Sequence, residues 1–465
     1  MSILYRYPQL QLVRELAKTR KTKVYLVGGF LRDHYLGKDG MDLDFAVGKD
    51  AVGLARAFAR RAKGAFVLLD DEHGSARVVK KQDGAAWTFD FTDLRAKDIR
   101  GDLRRRDFTI NTFCLDLVKE EDHSPAAAFK DLKARTIRLV ASRAFSDDPL
   151  RLLRAFSLHA QTGFKIEAKT LALAKKQAHL INASAMERVR DELFKILQSP
   201  RAFVTLSAMD KAGLLSRVMP QLAVMYGIKQ GGYHHLDVWK HSLEVLRQLE
   251  GFAAGPHEQG LKPYLDEEIG GGHARLSLLK LAALLHDIGK PDTRKKEGGR
   301  MTFHGHEHVG QRIVRSVAKR LKLSVKERHY LENAVRMHLR PGYLSNFKRP
   351  SHKAMFRYMR DTGPEAAAIA VLAIADQRST RGPLTTAAKA KHHEKICRMV
   401  IEEHFKEQSK PKVARLLTGH DLIRTLKLVP SPLFAKILSA VQEAQALGKV
   451  TAKAQALALA RTISK

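Results

Sequence analysis

Hydrophobic periodicity changes character once along this chain, near residue 147, and that switch limits the architecture more than any other feature. Before it, short alternating runs of the kind strands require recur at residues 24–27 (VYLV), 43–47 (LDFAV), 65–69, 77–79 and 86–92. Gly28-Gly29 and FLRDHYLG, a short helix ending at Gly37, separate the first two runs, so the order is strand, glycine turn, helix, strand. From Asp147 onward apolar residues recur at helical spacing, with Gly/Pro-rich breaks at 226–233, 253–273 and 288–305. The expected fold is a small α/β domain followed by an all-α remainder. A length of 465 residues accommodates about three domains.

The strands carry chemistry. Asp42 and Asp44 are two apart, so both project from one strand face. An isolated pair of this kind is most simply two solvent-facing carboxylates. A third, Asp90 in WTFDFTDLR, lies in another alternating run between Phe89 and Phe91, which face the other way. Three carboxylates on one sheet face would repel one another unless a cation intervened, and Mg²⁺ suits carboxylate and phosphate oxygens. The Gly28-Gly29 turn, ahead of a helix bearing Arg32 and Asp33, lets the backbone approach a phosphate closely.

Charge points the same way. Eighty-two Lys and Arg stand against 49 Asp and Glu, a net +33 that calls for a polyanionic partner. Cys114 and Cys397, the two cysteines, exclude a disulfide framework and a Cys-rich zinc module, which fits a reducing cytoplasm. The N-terminal segment lacks the uninterrupted apolar core of a signal peptide. The longest apolar run, Ala366 to Ala375, is well short of the roughly 20 residues that span a bilayer. A soluble, cytoplasmic protein with no membrane association is expected.

VYLVGGFLRDHYLG followed by DLDFAVG resembles the head-domain signature of class II tRNA nucleotidyltransferases and bacterial poly(A) polymerases. DLRRRDFTINT (102–112), DDPLRLLRA (147–155) and ERVRDELFKIL (187–197) are similar to that family's next three motifs, in order. The resemblance implies a polymerase β-like head over residues 1–145, neck helices over 146–222 and a helical RNA-binding tail over 386–465. It implies attack of an RNA 3′-hydroxyl on the α-phosphate of a nucleoside triphosphate. Asp42 and Asp44 would hold Mg²⁺, and Asp90 would assist the hydroxyl or its metal. Gly28, Gly29, Arg32 and Asp33 would meet the triphosphate, while Arg106, Asp107, Asn111 and Arg154 would complete the nucleotide pocket. The implied substrates are tRNA, ATP and CTP, with no obligate protein partner.

Without a template, protein groups must read the base. Asp148 and Arg151, three apart, can share a helix face and offer an acceptor beside a donor fork. Cytosine and adenine both present an amino donor next to a ring-nitrogen acceptor, so one such pair suits both. Guanine and uracil reverse the pattern. Asp148 can equally cap a helix that has Pro149 at its first position. The family's run usually has a third arginine where this chain has Ser157.

A second constellation lies over residues 223–385. His286-Asp287 ends an apolar helix, with His241, His306, His338 and Asp376 around it in sequence. This order resembles the all-α HD phosphohydrolase superfamily, and imidazole with carboxylate suits a transition metal. His304 and His308 flank His306 and leave the ligand there open. The leading expectation is CCA addition to tRNA, with possible HD phosphohydrolase activity. CC-adding, A-adding or poly(A)-polymerising enzymes of the same family remain open, as does an HD phosphohydrolase with an RNA-binding head.

Overall fold

The computed structural model describes residues 3–82, 84–256, 259–410 and 414–464. The chain forms two compact units, residues 1–196 with 208–218, and residues 197–207 with 219–465.

The first unit is built on a six-stranded sheet of β1 (Val24–Val27), β2 (Asp42–Val47), β3 (Ala65–Asp70), β4 (Ser75–Gln82), β5 (Ala85–Asp93) and β6 (Cys114–Asp116), in the order β3-β4-β5-β2-β1-β6. Strand β2 pairs parallel to β5 and antiparallel to β1. The alternation in β2 does what its spacing requires: Leu43 and Phe45 are buried, Asp42 and Asp44 open to the other face. Phe45 stacks on Phe91 at 4.7 Å between centroids, and Phe58 from helix Ala51–Ala62 closes on Phe89 and Phe91. One sheet face therefore belongs to the core. The carboxylate face remains for a cleft.

Helices Arg151–Thr162 and Met186–Gln198 complete the cleft side of this unit. Pro149 explains a local departure from the sequence expectation. Asp148 and Arg151 do not share a helix face: Asp148 is extended, with φ −146° and ψ 102°, and the helix begins at Arg151. The ring of a proline disfavours helical geometry in the residue before it.

In the second unit, helix Ala366–Ser379 is buried along Ala366–Ala375 and is packed by helices Val238–Ala254, Arg275–Leu285 and Ala387–Ser409. An apolar run too short for a bilayer serves here as the central helix. Short ribbons, Glu268–Gly270 with His273–Ala274 and Lys295–Glu297 with Arg300–Thr302, punctuate the helices within two of the expected breaks. The Ala- and Lys-rich end forms helix Lys453–Ser464, which packs with Gly419–Leu426 and Pro432–Ala446 around Leu422, Ile437 and Val441. Among the described residues, no helix is long and apolar enough to cross a membrane.

Candidate active site and metal cluster

Above the polar face of the sheet lies a cleft of about 760 Å³. Every head and neck residue anticipated from the sequence lines it: Gly28, Gly29, Arg32, Asp33, Asp42, Asp44, Asp90, Arg106, Asp107, Asn111, Asp148, Arg151 and Arg154. Gly28 has φ +86°, and a Cβ there would sit 3.2 Å from Asp44 Oδ2 and 3.4 Å from Arg106 Nη1. Both the backbone angle and the crowding demand glycine.

Asp44 faces Asp90 across the β2–β5 ladder, with Asp42 two residues away. Although Asp44 opens to the cleft, protein surrounds it on the other sides. Withdrawal from bulk solvent raises its pKa to about 6; Arg106 and Arg154 oppose the rise, and Asp90 and Asp42 add to it. Asp90 itself is not a free carboxylate. Arg77, its cross-strand neighbour on β4, donates from Nε to Oδ1 at 2.7 Å and from Nη2 to Oδ2 at 2.8 Å. The expectation that all three carboxylates need a metal cation to coexist is thus corrected: an arginine already neutralises one. Asp42 and Asp44 are the pair left to hold a divalent ion.

One wall is a chain of charged hydrogen bonds that ends in an ion pair. Asp33 accepts from Arg32, whose Nη1 donates to Asn111 Oδ1 at 2.7 Å. The Asn111 amide donates to Asp107 Oδ1 at 3.1 Å, and Asp107 Oδ2 lies 3.1 Å from Arg154 Nη2. Burial works against the charge on Asp107, yet Arg154, the Asn111 amide and the Phe108 N–H outweigh it and lower its pKa. The 3₁₀ turn Thr109–Asn111 places Asn111 between the two arginines. These side chains are fixed before any ligand arrives.

Asp148 Oδ1 accepts from the Leu150 N–H at 3.2 Å, and its Oδ2 accepts from Arg188 Nη2 at 3.1 Å. Arg151 donates to the carbonyls of Ala144 and Arg105. Asp148 therefore supports the helix start and still lines the cleft. Ser157 is buried and hydrogen-bonds Glu192 on helix Met186–Gln198; Glu192 also accepts from Lys195 at 2.7 Å. A longer side chain at 157 would meet that helix. Arg188 and Lys195 bring cations to the cleft from the opposite element. Both lie in ERVRDELFKIL, where nothing in the local spacing marks them out. Arg77 was missed, although the alternation of β4 and β5 carried the signal.

The second unit draws His241, His286, Asp287, His306, His338 and Asp376 into one buried cluster. The ligand atoms of His241, His286 and Asp376 lie within 4.8 Å of one another, as do those of Asp287, His306 and His338. Asp287 faces both groups: Oδ2 is 3.2 Å from His286 Nε2, and Oδ1 is 3.3 Å from His306 Nε2. His306 is the buried member of its triplet, whereas the side chains of His304 and His308 are largely exposed.

The tautomers follow from the partners. Nδ1 of His286, His306 and His338 meets the carbonyl of Ala283, Phe303 and Val335 at 2.9, 2.8 and 2.7 Å. A carbonyl only accepts, so each Nδ1 carries hydrogen and, in the neutral ring, each Nε2 presents a lone pair. Burial lowers the His338 pKa to about 3 and keeps that ring neutral. Burial also opposes charging His286, but Asp287 and Asp376 outweigh it and raise its pKa, so the acids around it favour positive charge there. His241 Nε2 is 2.9 Å from Asp376 Oδ1, yet among the described residues neither atom makes a hydrogen bond of acceptable geometry, nor does His286 Nε2. Orphaned donors and acceptors converging in a buried site fit a metal centre.

Three neighbours went unnoticed in the sequence. Lys290 Nζ lies 2.6 Å from Asp287 Oδ2 and donates to Gln230 Oε1 at 2.6 Å, and His234 packs edge-on to His241 at 4.7 Å. Lys290 was legible in LHDIGK, four residues after His286.

Three family models match the chain. The "Poly A polymerase head domain" matches residues 24–138, the "Probable RNA and SrmB- binding site of polymerase A" residues 163–225, and the "HD domain" residues 238–381. An A-adding tRNA nucleotidyltransferase of Deinococcus radiodurans is 33% identical over 435 residues, covering 91% of this chain and 92% of the relative. A CC-adding tRNA nucleotidyltransferase of Thermus thermophilus is 32% identical, covering 93% and 92%. Among solved structures, a CCA-adding enzyme in complex with CTP shares the fold with a TM-score of 0.62 at 19% identity, over 96% of this chain and 93% of that one.

Proposed function

Because this chain belongs to the tRNA nucleotidyltransferases, we propose that it adds C and A residues to tRNA 3′ ends from CTP and ATP, without a nucleic-acid template. The observation that carries this reading is a single cleft that joins the Asp42/Asp44 pair to a preformed Arg32–Asn111–Asp107–Arg154 wall, with Asp148 and Arg151 lining it. Asp42 and Asp44 would hold Mg²⁺, whose charge stabilises the triphosphate and the departing pyrophosphate. Arg32, Arg106 and Arg154 would orient the triphosphate, so that the RNA hydroxyl meets the α-phosphorus and pyrophosphate leaves. Asp148 and Arg151 would turn from their present partners to the base edge, favouring C and A.

A second reading restricts the enzyme to one step. It is favoured by near-full-length relatives that are A-adding in one case and CC-adding in the other. Presenting tRNA lacking CCA, tRNA ending in CC, and unstructured RNA with each labelled triphosphate separates the cases. Full CCA addition predicts three residues on the first substrate; growth that halts at CC, or occurs only on the CC-ended tRNA, sinks it. Poly(A) activity would appear on the unstructured RNA.

The HD cluster would hold divalent transition metal at two adjoining groups, His241, His286 and Asp376, and Asp287, His306 and His338, where it could activate water against a phosphoester. Lys290 would steady Asp287 there. A phosphoester assay with and without added Mn²⁺ or Ni²⁺ tests this; metal-independent turnover, or none with either metal, counts against it.

A further inference from the structure

Helix Arg340–Leu344, the turn after it and helix His352–Thr362 present a surface that shares no residue with the nucleotide cleft. Tyr343 and Phe347, four residues apart, are 56% and 59% exposed, which is unusual for aromatic rings without a partner. Between them and Arg340, Lys353 and Arg357 runs a groove of about 470 Å³. A second hollow, of about 380 Å³, shares Arg340 and Tyr343 and extends to Glu307 and Met337, which adjoin His306 and His338 of the metal cluster in the chain.

Charge identifies the occupant. From Asn333 to Arg360 the chain has seven Lys and Arg and no Asp or Glu. Two acids from outside that stretch hold the groove arginines in place: Asp361 accepts from Arg340 at 2.8 Å, and Glu443 accepts from Arg357 at 2.7 and 2.9 Å. Lys348 and Arg349, directly after Phe347, are exposed. A second copy of the chain would bring the same cationic face against this one and be repelled. A polyanion would be drawn in, and flat exposed rings set among cations suit bases that are free to stack. Duplex RNA keeps its bases stacked inside and would gain only the charge term.

We propose that this groove docks an unpaired RNA strand, with bases stacked on Tyr343 and Phe347 and phosphates along the basic rim. The site shares no residue with the nucleotide cleft and adds an RNA contact beyond the 3′ end being extended.

The test uses the full chain with a labelled 12-nucleotide single-stranded RNA and a blunt RNA duplex of the same length. Tyr343→Ala with Phe347→Ala should weaken single-strand binding about tenfold, while duplex binding changes less than about twofold. Lys348→Glu with Arg349→Glu should weaken both and reduce the salt dependence by one to two units of slope. Nucleotide transfer at saturating tRNA should keep its kcat. Tyr343→Trp gives a local readout that survives binding elsewhere: its fluorescence should be quenched by the single strand and not by the duplex. An unquenched tryptophan, or single-strand affinity unchanged in the aromatic double variant, overturns the proposal. So does a dimer in sedimentation that the double variant dissociates, which would assign the face to a second copy.

Discussion

Arg77 and Asp90 sit directly opposite each other on neighbouring antiparallel strands, and the guanidinium takes both carboxylate oxygens in a bidentate pair. This pairing divides the labour at the floor of the cleft. Asp90 is charge-neutralised in place, so the negative charge available to a cation is concentrated on Asp42 and Asp44.

Asp42→Ala or Asp44→Ala should each lower nucleotide transfer by about a thousandfold or more while RNA affinity holds, and Asp90→Asn should cost less than either. Arg77→Ala should release the Asp90 charge and lower the Mg²⁺ concentration at half-maximal rate. Its effect on stability should be about 1 kcal/mol or less, because Arg77 is 43% exposed. Magnesium titrations of transfer with melting in parallel check the set. Equal losses from Asp90→Asn and Asp44→Ala would remove the distinction.

The raised pKa of Asp44, about 6 against an ordinary value near 4, has a defined pH consequence. In metal-free protein the folded state holds this proton more tightly than the unfolded state. Asp44 therefore costs stability above pH 6, and the cost fades as pH falls toward 4. Mg²⁺ must displace that proton below pH 6, so its apparent affinity should drop as pH falls through 6, and the stabilisation it confers should be largest above 6. Thermal melting with and without Mg²⁺ from pH 5 to 8 reads both. Asp44→Asn should flatten the dependence.

Base choice should depend on three residues. Arg151→Ala or Asp148→Ala should narrow discrimination of C and A against U and G by about ten- to a hundredfold, the consequence of a lost polar partner. Arg188→Ala should reproduce part of the Asp148 effect, because Arg188 holds Asp148 Oδ2 at 3.1 Å. Steady-state incorporation of all four nucleotides onto one tRNA decides it. Lower stability with unchanged selectivity would leave Asp148 only its hydrogen bond to the helix start.

The two ligand groups that meet at Asp287, His241–His286–Asp376 and Asp287–His306–His338, predict two metal equivalents. After chelation, calorimetric titration with Mn²⁺ or Ni²⁺ should show two sites. His338→Ala should lose one and Asp287→Ala should weaken both, and His286→Ala with Asp287→Ala should leave nucleotide transfer largely intact. Saturation at one equivalent would contradict the two-site arrangement.

The sequence by itself determined what local spacing can encode. Residues two apart in a strand share a face, so Asp42 and Asp44 were bound to project together. The 3.6-residue period marked the helices, and the order of His and Asp along them announced the cluster. Pro149, too, already implied an extended Asp148, although the spacing alone pointed to a shared helix face. Only tertiary structure decided which groups meet. Arg77 reaches Asp90 because β4 and β5 pair in one register, and a shift of a single residue would turn Arg77 to the other face. His306 enters the cluster while His304 and His308 stay outside because of where helix His306–Arg320 begins and how it packs. His234 and Gln230 join the same site from a separate segment. Such pairings depend on register and packing between segments distant in the chain, and no local run of side chains encodes them.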